Sequence, residues 1–212
     1  MRTLKYFFTT IFLFAFAVLL NAQDTNSLQR AIEKGKADLV EILNQSEGKF
    51  NFGVSAAAVE RSQPASALPH KEMLFDRLLK YEGQDISEVL SKTQKLVVPL
   101  VENTRVVTTI SITEKDQDTY VVNELVNQQY SEELNRLPDD IKARNFEKVG
   151  IIYVPNLNAF IYTYGDRSYT SYKGKNVSSP ANTRELLKEL RVDAEAFHKK
   201  YGDKLKKGKL VY

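Results

Sequence analysis

The 212-residue chain contains no cysteine and no tryptophan, two methionines, two histidines, and almost no excess of either charge. Without cysteine there is no disulfide framework, no thiol nucleophile and no lipoprotein attachment site. The two histidines, His70 and His198, are too few for a histidine-rich metal centre. His70 precedes Lys71-Glu72, a His-x-Glu pair with no evident third ligand. His198 stands beside Lys199-Lys200, neighbours that suit a solvated helix face. No Gly-x-Ser-x-Gly elbow, Walker loop, dinucleotide glycine fingerprint or His-Glu-x-x-His sequence occurs. The chain implies no cofactor and no metal, and its catalytic inventory leans away from an enzyme.

The charge balance is equally restrictive. Thirty basic residues face 27 acidic ones. Nucleic-acid binding usually shows as a strong basic excess, and none is present. The acids are scattered. Asp116 and Asp118 fall in a polar turn that lacks the glycine and distal glutamate of a calcium loop. Asp139-Asp140 suit a helix start, where negative charge meets the positive end of the helix dipole.

The N-terminus carries the one long apolar run. Arg2 and Lys5 precede Tyr6–Leu20, interrupted only by Thr9 and Thr10, and Asn21-Ala22-Gln23 follows with a small residue. Basic start, apolar core and small-residue exit form a secretory signal. The run is shorter than the ~20 apolar residues of a membrane anchor, and polar sequence follows it directly. Residues 1–22 are therefore expected to be a signal peptide cleaved after Ala22, leaving a periplasmic or secreted protein with no transmembrane segment. Removing Arg2 and Lys5 leaves 28 basic against 27 acidic residues, a net charge of +1. Residues 23–212 suit one domain, or two small subdomains meeting near 128–131.

The clearest β signal runs from Lys95 to Val126. KLVVPLV, RVVTTISIT and TYVVNELV, joined by short polar breaks, predict an antiparallel meander. In the middle run Val106, Thr108, Ile110 and Ile112 share one predicted face. Pro99 removes a ladder donor, which predicts an edge strand or a bulge. An exposed edge is one way to capture an extended peptide. Residues 149–154 and 159–164, separated by Pro155-Asn156-Leu157-Asn158, predict a second hairpin, with Tyr169 and Tyr172 adding a shorter third strand.

Helical signals flank these strands. Leu28, Ala31, Ile32, Leu39, Ile42 and Leu43 form one apolar side behind an Asn26-Ser27 cap, with Gly35 inside the pattern. Ser55 can cap a short helical turn. Ser62–Pro69 reads as a loop, and residues 70–91 carry mixed helical and strand signals. Ser131 is a plausible helix start, and Pro138 separates a further turn. Near the end, Ser179-Pro180 predicts the start of a helix with a Leu186, Leu190, Ala194, Phe197 and Tyr201 stripe, stopping at Gly202. The tail from Lys204 to Tyr212, basic until its final Leu210-Val211-Tyr212, suits a solvated terminus or an edge strand. The fold class expected is α+β: an antiparallel sheet, meander plus tyrosine-rich hairpin, packed against N-terminal and C-terminal helices.

The aromatic hairpin is the best candidate site. Tyr153, Phe160, Tyr162 and Tyr164 lie on it, the last three on one face of their strand. Such a ladder stabilises a sheet by cross-strand pairing, and it also suits ligand recognition. The leading expectation is an exported, non-catalytic protein that binds a protein partner, peptide or small molecule through its sheet. The alternatives are an exported hydrolase built from scattered carboxylates and His70, and a structural component of the cell envelope.

Overall fold

The computed structural model describes residues 27–46, 49–83, 85–92, 95–116 and 119–206. The leader, Asp118 and the last six residues lie outside this set. The fold is α+β, with one nine-stranded, mostly antiparallel sheet. The meander and the aromatic hairpin are joined in that single sheet.

Helix α1 (residues 27–45) leads to α2 (Ala56–Arg61), β1 (Gln63–Pro64), β2 (Leu68–Glu72) and the single turn α3 (Phe75–Leu78). The meander is β3 (Lys95–Glu102), β4 (Arg105–Asp116) and β5 (Thr119–Glu124). Helices α4 (Gln128–Arg136) and α5 (Asp139–Ala143) follow. The hairpin β6 (Val149–Val154) and β7 (Ala159–Tyr164) then continues into β8 (Arg167–Tyr169), β9 (Ala181–Asn182) and α6 (Thr183–Lys206). The strand order is β5-β4-β3-β2-β6-β7-β8-β9, with β1 also pairing β3. Among the described residues every strand pairing is antiparallel except β2 with β6.

Both faces of the sheet are covered. On one face, Ile32, Leu39 and Leu43 of α1 pack on Val98, Leu100, Ile110 and Ile112, while Leu186, Leu187, Leu190 and Ala194 of α6 pack on Ile152 and Ile161. The terminal helices thus share a face of the sheet. On the other face Tyr130, Leu134 and Ile141 of α4 and α5 cover Leu68, Val97, Ile151 and Tyr162. The alternation of side chains along each strand keeps these cores separate.

Several local expectations change. Ser62–Pro69 is not all loop, because it holds β1 and the start of β2, a central strand. Pro69 is compatible with that position since pairing to β6 begins only at His70. The edge reading of Pro99 fails: β3 lies between β4 and β2. Opposite Pro99 the chain is passing from β1 to β2, and the Ala65 amide donates to the Pro99 carbonyl at 2.8 Å. The bulge reading fits nearby, with a register shift between Leu100 and Val101. That shift puts Val106 in the α4 core while Ile110 and Ile112 face α1, so the four residues of the middle run do not share one face.

Helix boundaries move as well. Asn127, not Ser131, caps α4, its Oδ1 accepting from the Tyr130 amide at 2.9 Å. Asn182, not Ser179, serves α6, accepting from the Glu185 amide at 3.2 Å. Gly202 does not stop α6; it lies within the helix, under the His198 ring. Ile42 is exposed on α1. Gly35 has a packing reason, since a Cβ there would lie 2.9 Å from Val122 Cγ2 and 3.2 Å from Ile110 Cδ1. A larger side chain would have to push those core groups aside, and overpacking of that kind costs about 1–3 kcal/mol.

Candidate ligand recess at the parallel strand junction

The one parallel pairing creates a junction. His70 and Glu72 stand near the C-terminal end of β2, Tyr153 near the C-terminal end of β6. Register places Lys95 and Ile151 beside His70, Tyr153 beside Glu72, and Phe160 beside Tyr153. All therefore share the α4 side of the sheet. Helix α4 covers the neighbouring Ile151 and Tyr162 but leaves this end open. The result is a recess of about 420 Å³.

Its aromatic wall is well ordered by contact. Tyr153 stacks on Phe160 with ring centroids 4.6 Å apart and planes at 21°. Tyr130 meets Phe160 edge-on at 5.3 Å. The His70 ring lies 6.1 Å from Tyr130 and 6.4 Å from Tyr153. Tyr153 and Phe160 are half-buried, so their rings can offer both packing area and a contact surface.

The polar groups divide by role. Lys95 Nζ donates to Glu124 Oε2 at 3.2 Å and lies 5.5 Å from the Tyr130 ring centre. Ser111 Oγ donates to the same carboxylate at 3.0 Å, and Asn127 Nδ2 donates to its other oxygen at 3.0 Å. Burial pushes the Glu124 carboxyl up, but the Asn127 hydrogen bond, the Lys95 charge and the Ser111 hydroxyl more than offset it, leaving it below its ordinary value. At the mouth, Glu72 and Lys92 are exposed, and Ser91 Oγ accepts from the Glu72 amide at 2.9 Å.

His70 is the unusual member. It is 7 % exposed, and its Nε2 has no hydrogen-bond partner. Burial, then the nearby Lys95 charge, lower its pKa to about 4. At neutral pH the imidazole is uncharged. The His70 ring borders the recess, but its Nε2 is itself buried, so it is an unsatisfied polar atom within the wall and not a contact point open to a ligand.

The structure divides the four residues singled out from sequence. Tyr153 and Phe160 line the recess. Tyr162 is fully buried under α4, and its hydroxyl is raised by burial and by the Glu133 carboxylate beside it. Tyr164 packs at the edge of the same core, with the Arg167 guanidinium 5.1 Å from its ring centre. Tyr169 is also buried, while Tyr172 donates to Asp193 Oδ2 at 2.9 Å. His198 is exposed on α6. Asp139 pairs with Lys142 and Asp140 with Arg167, so these acids serve local structure. Tyr130, Lys95 and Glu124 were not singled out. Each sits on a different element, and only the register brings them together. Among the described residues no group of three or more side chains is arranged to hold a metal ion, and no helix is long and apolar enough to cross a membrane.

Comparison of the chain with protein-family models, with curated proteins and with solved structures finds no match, so the functional reading rests on this geometry alone.

Proposed function

We propose that the chain is an exported, non-catalytic protein that binds a small molecule or short peptide in the recess beside Tyr153 and Phe160. The observation that carries this reading is the open recess walled by the stacked rings of Tyr153 and Phe160 and edged by polar side chains. The rings offer a flat apolar surface, and Lys95, Glu72 and Lys92 offer a few polar contacts. That combination is typical of small-ligand sites.

The test is retention of ligand. Native mass spectrometry of the protein incubated with a small-molecule extract of the cell envelope is expected to show an adduct. Tyr153→Ala is expected to reduce its retention about tenfold, the loss of roughly 1.4 kcal/mol of contact, with the fold intact. Equal retention by the variant would remove the recess as the site. Export rests on the leader sequence. The native protein is expected to begin at Gln23, and N-terminal sequencing that reads from Met1 would end that part of the proposal.

A hydrolase reading draws on the same recess, because it gathers His70, Glu72 and Ser91. Two observations weigh against it. The Ser91 hydroxyl oxygen is engaged by the Glu72 amide, and burial and Lys95 depress the basicity of His70. A general base at neutral pH needs a pKa nearer the working pH.

A further inference from the structure

The opposite face of the central sheet holds a second cavity. Between the α1 core and the α6 core, part of β2, β6 and β7 forms the floor of a groove of about 540 Å³. Pro69 and Ile152 give it apolar floor, and Ala67, Ile86 and Leu90 give it apolar walls. Gly150 keeps the floor low; a Cβ there would come within 2.9 Å of Thr163 Oγ1. The groove is also electrostatically one-sided. Lys71 and Lys148 line it, none of the described lining residues is acidic, and Ser87, Thr163 and Thr183 add hydroxyl-bearing side chains. Neither lysine makes an ion pair among the described residues. This distinguishes them from Lys95, Lys142, Lys173 and Lys175, each of which has a carboxylate partner.

We propose that this groove binds a small amphipathic carboxylate, with the apolar chain lying over Pro69, Gly150 and Ile152 and the carboxylate meeting Lys71 and Lys148. Charge complementarity selects the head group: two ammonium groups without an ion pair among the described residues stand beside a cavity whose described lining holds no acid. Charge-assisted hydrogen bonds of this kind are about twice as strong as neutral ones. The apolar floor selects the tail, since burying it removes hydrocarbon from water. A groove of this volume falls in the usual range for small-molecule sites. The site is separate from the recess, which lies across the sheet.

The probe is decanoate at concentrations below micelle formation, with decanol carrying the chain without the charge and butyrate the charge with little chain. Calorimetric titration is expected to show decanoate binding at least about tenfold more tightly than decanol or butyrate. Amide chemical-shift changes are expected to centre on Gly150, Ile152 and Thr163. In the Lys71→Gln/Lys148→Gln protein, decanoate affinity is expected to fall about tenfold while decanol affinity stays within about twofold. Both lysines are unpaired and at least partly exposed, so the thermal midpoint of this variant should match the parent. An absence of decanoate binding, equal affinity in parent and variant, or shifts centred on Tyr153 and Phe160 would each overturn the proposal.

Discussion

Truncating Tyr162 to alanine is expected to destabilise the protein by about 3–5 kcal/mol, the range for removing a large buried aromatic side chain. In a chain of this length that corresponds to a fall of roughly 10 °C in thermal midpoint, at about 2–4 °C per kcal/mol. The ring is fully buried between β7 and the α4 core, in a cluster that includes Leu134, Ile151 and Tyr169. Most of the cost is lost packing, because the ring leaves a void that its neighbours fill only partly. Tyr162→Phe is expected to cost less than about 1 kcal/mol, since the hydroxyl has no well-formed hydrogen-bond partner in the fold. Urea denaturation of the two variants separates the packing role from any contact role. A loss below about 1 kcal/mol for the alanine variant would show that the ring is not core. Tyr162 would then return to the recognition surface with Tyr153 and Phe160.

The contrast between Tyr162 and Tyr153 shows what could be read in the sequence. Alternation identified the strands of the meander and the aromatic hairpin, because a period of two survives in any half-buried strand. It also placed Phe160, Tyr162 and Tyr164 on one face, where the structure has them. It could not say which part of that face α4 covers. That depends on the lateral position of a helix from another part of the chain, whose cover is complete over Tyr162 and only partial over Phe160, which Tyr130 meets edge-on. The recess was hidden for a related reason. His70 and Glu72 belong to β2, whose residues include Pro69 and whose pattern is only five residues long. Its neighbours β3 and β6 are far away in sequence, and no local signal announces a parallel pairing between distant strands. The shift at Leu100/Val101 is a milder case. Pro99 warned of an irregularity, but the resulting transfer of Val106 to the other face required the actual register.

The position of His70 in that junction makes stability pH-dependent over a defined window. An unfolded histidine takes up a proton near pH 6.5. In the folded chain, burial and the Lys95 charge delay protonation to about pH 4, with Glu124 opposing that shift. Between these values the unfolded state binds more protons than the folded state, so stability falls as pH is lowered. It is complete above about pH 6.5 and has been lost by about pH 4. A gap of about 2.5 pH units is worth about 3 kcal/mol, at 1.36 kcal/mol for each. The charged and titratable groups around the ring are Lys95 on β3, Glu124 on β5, Tyr130 on α4, Tyr153 on β6 and Glu72 on its own strand. Of these, the carboxylate paired with Lys95 is Glu124. It is held below its ordinary value, so its contribution is lost only at the acid end of the window or beyond. His70→Gln keeps a polar side chain of similar reach and removes the titration. Urea midpoints at pH 7, 5.5 and 4.5 are expected to fall steeply for the parent and to change much less for this variant. The variant is expected to be less stable than the parent at pH 7 only by its packing cost, and the difference should shrink or reverse as pH falls. Parallel pH profiles for the two proteins would mean that the imidazole protonates equally easily folded and unfolded. The reading of His70 as a buried, neutral histidine beside the recess would then be wrong.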